Sequence, residues 1–215
     1  MAALASRGER TLGVARSVDA ARQRFPGSDW AGMELGKCRA GDWAVLLRDV
    51  SAVINCAGAL QDGPGDDLAG THATGLAELI AGCEAAGVRR LIHFSAMGVD
   101  RATPSAFSRT KLAGDRAVTD SDLDWVILRP SVVLGQAPYG ASALIRGLAA
   151  WPVMPVIPET AELRPVALED VVATVEYFLR ADAPVRVAVE LSGPESFTFA
   201  SLVRLYACRP QGPKA

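Results

Sequence analysis

The chain has few cysteines and no closely spaced pair of them. Its four (Cys38, Cys56, Cys83 and Cys208) are widely separated, none in a Cys-x-x-Cys unit, and only two histidines accompany them. That pattern excludes the usual zinc sites and argues against a disulfide framework; it points to a reducing compartment, so a cytoplasmic location is expected. Excess charge is missing as well: 22 Lys and Arg against 24 Asp and Glu leave a net charge of −2. Without surplus cations to neutralise phosphates, no nucleic acid is expected as a partner. No apolar run approaches the ~18 residues of a membrane span. Arg7, Glu9 and Arg10 interrupt any signal-peptide core near the start. Nor is the chain poor in apolar residues, as disordered chains are, since 50% of its 215 residues are hydrophobic. An α/β-type globular domain is what these exclusions leave.

Three short, nearly continuous apolar runs stand out at Ala52–Ala57, Leu91–Ser95 and Trp125–Leu128. Such runs fit strands buried on both faces of a parallel sheet, and their spacing of roughly 35 residues is that of a βαβ unit. Between them lie helical patterns. Leu76, Leu79, Ile80 and Cys83 recur at i, i+3, i+4 and i+7, with Asp66 and Asp67 as candidate caps and Gly87 as a stop. A second helix is expected from Ser105 to Ser121, with Lys111, Leu112 and Asp115 on its middle turns. Upstream, a short helix closed by Gly8 precedes a strand at Thr11–Ala15, and a weak strand is expected at Met33–Leu35. Downstream, Ala149–Pro158 holds three prolines and reads as a loop. Val171, Val172, Val175, Phe178 and Leu179 form a helical stripe, a strand follows at Val187–Leu191, a short helix at Ala200–Tyr206, and the tail Arg209–Ala215 has no packing pattern.

This alternation is that of a doubly wound, Rossmann-type sheet. In such sheets a glycine-rich turn joins the first, central strand to its helix, yet no GxGxxG or GxxGxxG occurs near the N-terminus. Thr11–Ala15 corresponds to the second strand. The expected fold is therefore an α/β doubly wound parallel sheet lacking its first strand and glycine loop. Residues 1–135 would form this incomplete core and 136–215 a small C-terminal α/β part of the same domain, facing substrate or partner. A start placed too late, or a fragment, is one explanation; a fold that never had the strand is the other.

Five segments carry a family resemblance: Asn55-Cys56-Ala57-Gly58, Ala86-Gly87-Val88-Arg89-Arg90, Phe94-Ser95-Ala96, Phe107-Ser108-Arg109-Thr110-Lys111 and Leu128-Arg129-Pro130-Ser131. Together they resemble the extended and atypical short-chain dehydrogenases of the NAD(P)-dependent epimerase/dehydratase group. Arg164–Val171 and Leu191–Glu195 look most like relatives of the NADPH-binding accessory subunit of respiratory complex I. The resemblance implies an NADP cofactor, with NAD also possible, and an oxidoreductase or a non-catalytic NADPH-binding protein. It also implies an active centre of Asn, Ser, Tyr and Lys. Here the chain departs from the pattern: the Tyr position is Phe107, the Asn position falls on His72, and the Ser position on Ala96 or Met97. Lys111 alone remains as the catalytic candidate.

The resemblance also supplies cofactor candidates, each with a plainer alternative. Arg16 and Ser17 end the second strand, where a cation meets a 2′-phosphate; Arg16 also reads as an ordinary exposed arginine. Ala57 and Gly58 would let the cofactor's adenosine half approach the backbone, or simply make a turn. Ser95 is a strand-end serine, structural or cofactor-facing. Lys111 is a ribose and nicotinamide ligand or a surface lysine. Pro130, Ser131, Val132 and Val133 resemble the segment that passes the nicotinamide amide. His72 reads more readily as a capped or exposed helix residue than as an acid or base, and His93 and Cys56 as core residues. The apolar loop at Ala149–Pro158 points to a small hydrophobic molecule or a protein partner, or is a lid packed on the core. No metal site is expected.

Overall fold

The computed structural model describes residues 1–101, 105–135, 141–150 and 162–207. Its first sheet is a parallel pair, β1 (Leu12–Ala15) and β2 (Asp29–Gly32), in the register Leu12 with Asp29 through Ala15 with Gly32. The second comprises β3 (Ala52–Asn55), β4 (Arg90–Phe94), β5 (Asp124–Pro130) and β8 (Val187–Leu191), all parallel and in the order β3-β4-β5-β8. A small parallel pair, β6 (Val133–Leu134) and β7 (Val166–Ala167), extends from the end of β5. Among the described residues no ladder joins β1 to β3, the break expected where the central strand of a Rossmann order would lie. Leu12 and Val14 on β1 accordingly remain 44% and 41% exposed.

The period-2 alternation of a strand explains how the larger sheet is covered. Leu91 of β4 and Ile127 of β5 face one core, where they meet Trp43, Leu76, Leu79 and Val118 of α3 (Ala40–Leu46), α4 (Gly75–Ala86) and α5 (Ala106–Thr119). Ile92, Val126 and Leu128 face the opposite core, where Val175 and Phe178 of α7 (Leu168–Phe178) cover them. Helices on both faces make this a doubly wound α/β fold, and the nearly unbroken apolar runs of β4 and β5 follow from burial on both sides.

Local signals set several boundaries. Ser105 caps α5, its hydroxyl accepting from the Ser108 N–H at 3.1 Å. Gly87 ends α4 with φ of 77°, a left-handed conformation that suits glycine. Ser17 caps the short α2 (Val18–Arg24), and Gly8 follows α1 (Ala2–Ser6) with φ of 79°. The weak strand expected at Met33–Leu35 is corrected to β2, Asp29–Gly32. There the Trp30 ring lies across Gly13, where any Cβ would collide with it. Asp67 does cap, accepting from the Gly70 N–H at 2.9 Å, whereas Asp66 pairs with Arg16 instead. The helix α6 (Ala141–Ala149) and the pair β6–β7 were not expected. Helix α8 spans Phe199–Ala207, while residues 151–158 of the proline-rich loop and the tail from Arg209 lie outside the described residues.

A π-helical turn, Gly70–Thr74, leads into α4 and packs against α5. The contact is closest at Gly114, where a Cβ would strike the carbonyl oxygen of His72. Alanine at 114 has the better helix propensity by ~1 kcal/mol, but backbone would have to move. Gly114→Ala is therefore expected to lower the unfolding free energy by about 1–3 kcal/mol in urea denaturation; unchanged or raised stability would contradict this packing.

Candidate active site

Strand carboxyl ends are where open α/β sheets place their ligands, and most of the buried polar side chains among the described residues gather there. Asn55 ends β3, Ser95 directly follows β4, and Lys111 and Asp115 reach towards them from α5; all are buried. The Asn55 side chain wires the first strand end. Its Oδ1 accepts from the Ala57 N–H at 3.1 Å, which directs its amide NH2 to His93 Nδ1, also at 3.1 Å. The turn Cys56–Ala59 is fixed at its far side by His72, whose Nε2 accepts from the Ala59 N–H at 3.0 Å.

His72 has no spare nitrogen. The Thr110 hydroxyl donates to the Ala106 or Phe107 carbonyl oxygen at 3.0 or 3.1 Å, so His72 Nδ1–H donates to Thr110 Oγ1 at 2.9 Å. The ring is 1% exposed, which corrects the expectation of an exposed or capped helix residue. Phe107, at the tyrosine position, sets its ring edge-on to the imidazole with centroids 5.5 Å apart. The site thus holds a phenyl ring, which has no hydroxyl, beside a histidine whose nitrogens are both engaged.

Lys111 is the cation of the site. It is 5% exposed, and its Nζ donates to the Phe94 carbonyl oxygen at 2.8 Å. A Cβ built on Gly58 would sit 3.5 Å from Lys111 Nζ and 3.8 Å from His72 Nε2, so the structure brings Gly58, Lys111 and His72 close together. Burial lowers the Lys111 ammonium to about 8, against the opposing pull of Asp115 and then Cys56. Four residues along α5, Asp115 Oδ2 accepts from Arg129 Nε at 3.1 Å and Nη2 at 2.9 Å, and Arg129 Nη1 reaches Asp100 at 2.5 Å. Ser95 Oγ, His93 Nε2 and Asp115 Oδ1 are buried without a well-formed hydrogen bond, the last two 3.7 Å apart.

The other expected residues are more dispersed. Arg16 lies at the exposed end of β1, where its guanidinium holds Asp66 at 2.9 Å and also the Gly65 carbonyl. Ser17 is occupied as a cap. Pro130 ends β5; the Ser131 N–H donates to Leu191 O at 2.8 Å, and Val132 O accepts from the Val166 N–H at 3.0 Å. Val133 opens β6. This run is therefore sheet backbone at the carboxyl end of β5. Cys56 is exposed, which corrects its reading as a core residue, and His93 is buried as expected. Asn55, Asp115 and Arg129 were missed. Asn55 and Arg129 stand inside quoted motifs, and the signal for Asp115 is its i+4 spacing from Lys111. Among the described residues no group of His, Cys, Asp and Glu could hold a metal ion, and no helix is long and apolar enough to cross a membrane.

The comparisons with known proteins agree with this fold. The chain belongs to the NAD(P)H-binding family, whose model matches residues 1–147. Its fold is that of the Bordetella bronchiseptica enzyme WbmG in complex with NAD (TM-score 0.77, 18% identity, 95% of this chain and 71% of that one). It is also that of the UDP-glucuronic acid 4-epimerase of Bacillus cereus in complex with NAD (TM-score 0.75, 16% identity, 93% and 76% covered). A curated relative is the ceramide reductase of Caulobacter vibrioides, 27% identical over 173 residues, or 80% of this chain. The chain spans about half the length of that relative, 53%.

Burial lowers His72 to about 4 and His93 to about 3, with Lys111 as the next cause for both. Both rings are then neutral near pH 7, and unfolding frees each to titrate near ~6.5. Below that pH the unfolded chain binds more protons, so each histidine lowers stability as the pH falls from 6.5 through the folded value. The raised carboxyl of Asp115 opposes this at the acid end. With only two histidines in the chain, the check is direct. Neither imidazole C2–H resonance should move between pH 5.5 and 8, and a midpoint near 6.5 for either would contradict the site as described.

Proposed function

We propose that the chain binds a nicotinamide dinucleotide, NADP in preference to NAD, as the cofactor domain of an atypical short-chain oxidoreductase. The observation that carries this is the buried cation Lys111 beside the exposed backbone of Gly58 at the ends of β3 and β4. The fit differs along the cofactor. For the nicotinamide ribose it is good: Lys111 Nζ would bind the ribose hydroxyls, the Ala57–Gly58 backbone would lie beside them, and Pro130–Val133 would flank the nicotinamide. For the adenosine 2′-phosphate, Arg16 is the cation, provided that it leaves Asp66. For the diphosphate it is poor, because the 215 residues contain no glycine-rich turn of the GxGxxG kind.

When bound, the reduced nicotinamide supplies hydride. The chain's own residues bind and orient but offer no phenolic proton: Phe107 has none, and His72 has both nitrogens engaged. The similarity to a ceramide reductase supports a hydrophobic substrate, although it covers only 53% of that protein. A second reading, a non-catalytic NADPH-binding structural or assembly protein like the complex I accessory subunit, is favoured by the same lack of a proton donor. Substrate-dependent NADPH oxidation separates the two.

Three outcomes are expected in calorimetric titrations. NADPH binds weakly, with a Kd above about 10 μM. Lys111→Ala abolishes that binding. Arg16→Asp weakens NADPH several-fold more than NADH, since only NADPH carries the 2′-phosphate. Tight binding indifferent to Lys111→Ala would overturn the assignment. Phe107→Tyr alone should not create secondary-alcohol dehydrogenase activity, because His72 and Ala96 or Met97 stand at the other positions; appearance of that activity would place more of the centre intact than the residues imply.

A further inference from the structure

We propose that Thr110 and His72 are positioning residues for the Cys56–Ala59 turn. The Thr110 hydroxyl dictates which imidazole nitrogen carries the proton, and the bare nitrogen holds the turn beside Lys111. The role rests on that turn facing the cofactor, but its test needs no cofactor.

One face of α5 is shaped around His72. Phe107, Thr110, Lys111 and Gly114 fall at i, i+3, i+4 and i+7, a single stripe of the helix. Gly114 leaves room for the His72 carbonyl oxygen, which a Cβ there would strike. Phe107 stands edge-on to the imidazole with centroids 5.5 Å apart, and Thr110 Oγ1 lies 2.9 Å from Nδ1. Backbone, ring plane and one nitrogen are thus all met by the same helix, and the residue is 1% exposed. The other nitrogen, Nε2, faces away from α5, onto the Ala59 N–H at 3.0 Å.

Which nitrogen carries the proton follows from the donors around the ring. The Ala59 N–H can only donate, so Nε2 must be bare. A neutral imidazole then has its proton on Nδ1, which needs an acceptor. A helical threonine provides one, because its hydroxyl turns back to donate within its own helix, here to the Ala106 or Phe107 carbonyl oxygen at 3.0 or 3.1 Å. Its lone pairs are left for the imidazole. Without the hydroxyl, Nδ1–H is stranded in a buried place, a cost that moving the proton to Nε2 or turning the ring would relieve. Either response takes the acceptor away from Ala59. Asn55 holds the near side of the turn through the Ala57 N–H, so Thr110 controls the far side, with Gly58 in between.

Imidazole 15N spectra of the wild-type protein and amide exchange in its variants test this. In the wild-type protein His72 is expected to be protonated at Nδ1 and bare at Nε2; the reverse overturns the proposal before any substitution is made. Thr110→Val, close to threonine in shape, is expected to speed exchange of the Ala59 amide roughly tenfold relative to the Ser95 and Ser131 amides, which bond the Leu128 and Leu191 carbonyl oxygens of the sheet. Thr110→Ser keeps the hydroxyl and is expected to return Ala59 to the wild-type rate. A merely structural role for Thr110 would speed all three amides by one common factor. That result, an unmoved Ala59 amide, or a failure of serine to rescue it overturns the proposal. Should Thr110→Val not fold, Thr110→Ala carries the same expectation. The cofactor reading fails separately, if NADPH leaves the Gly58 and Lys111 resonances of the wild-type protein in place.

Discussion

Helix α5 is held to the sheet by charge as well as by oil, and the geometry of the candidate site depends on that hold. Val118 packs into the core one turn beyond Asp115, but apolar contact is nondirectional and would tolerate a sliding helix. The Lys111–Phe94 and Asp115–Arg129 hydrogen bonds are directional, and each ends on a different strand. Together they fix the rotation and register of α5 over the ends of β4 and β5. Removing one member of such a buried pair is costlier than never having had it, because its partner is left charged in a poorly solvated place.

The same register sets what the site can do. With α5 fixed, Phe107 falls against His72 and Thr110 beneath its Nδ1, so the helix that carries the lysine also closes the histidine to proton transfer. The turn from Asn55 to Ala59 is then clamped between Asn55 and His72, leaving Gly58 over the ammonium. A site assembled in this way buries a cation and offers few protons. Across the sheet break, the Arg16–Asp66 pair is the described side-chain link between the end of β1 and the segment following β3. Being roughly half exposed at both ends, it adds little stability.

Much of this was legible in the residues. The runs at Leu91 and Trp125 had to be strands buried on both faces, Ser105 and Gly87 mark helix ends by their chemistry, and Lys111 stands out from its motif. What was not legible depended on tertiary contact. Asp29-Trp30-Ala31-Gly32 has weak strand propensity and forms β2 because Trp30 finds the bare backbone of Gly13 to lie across. His72 sits on a π-helical turn, which breaks the 3.6-residue period just where the ring is turned inward, so its burial cannot be read from periodicity. Asp115 looked like an ordinary mid-helix acid, since Arg129 lies on another element and only the fold brings the two together.

The central claim is that Lys111 and Gly58 form the seat of a nicotinamide ribose. A crystal structure of the chain grown with NADPH tests it most directly. The account predicts ribose hydroxyls within ~3 Å of Lys111 Nζ, the nucleotide lying over the Ala57–Gly58 turn. A nucleotide bound elsewhere, with Lys111 untouched and still closed on the Phe94 carbonyl, would contradict it.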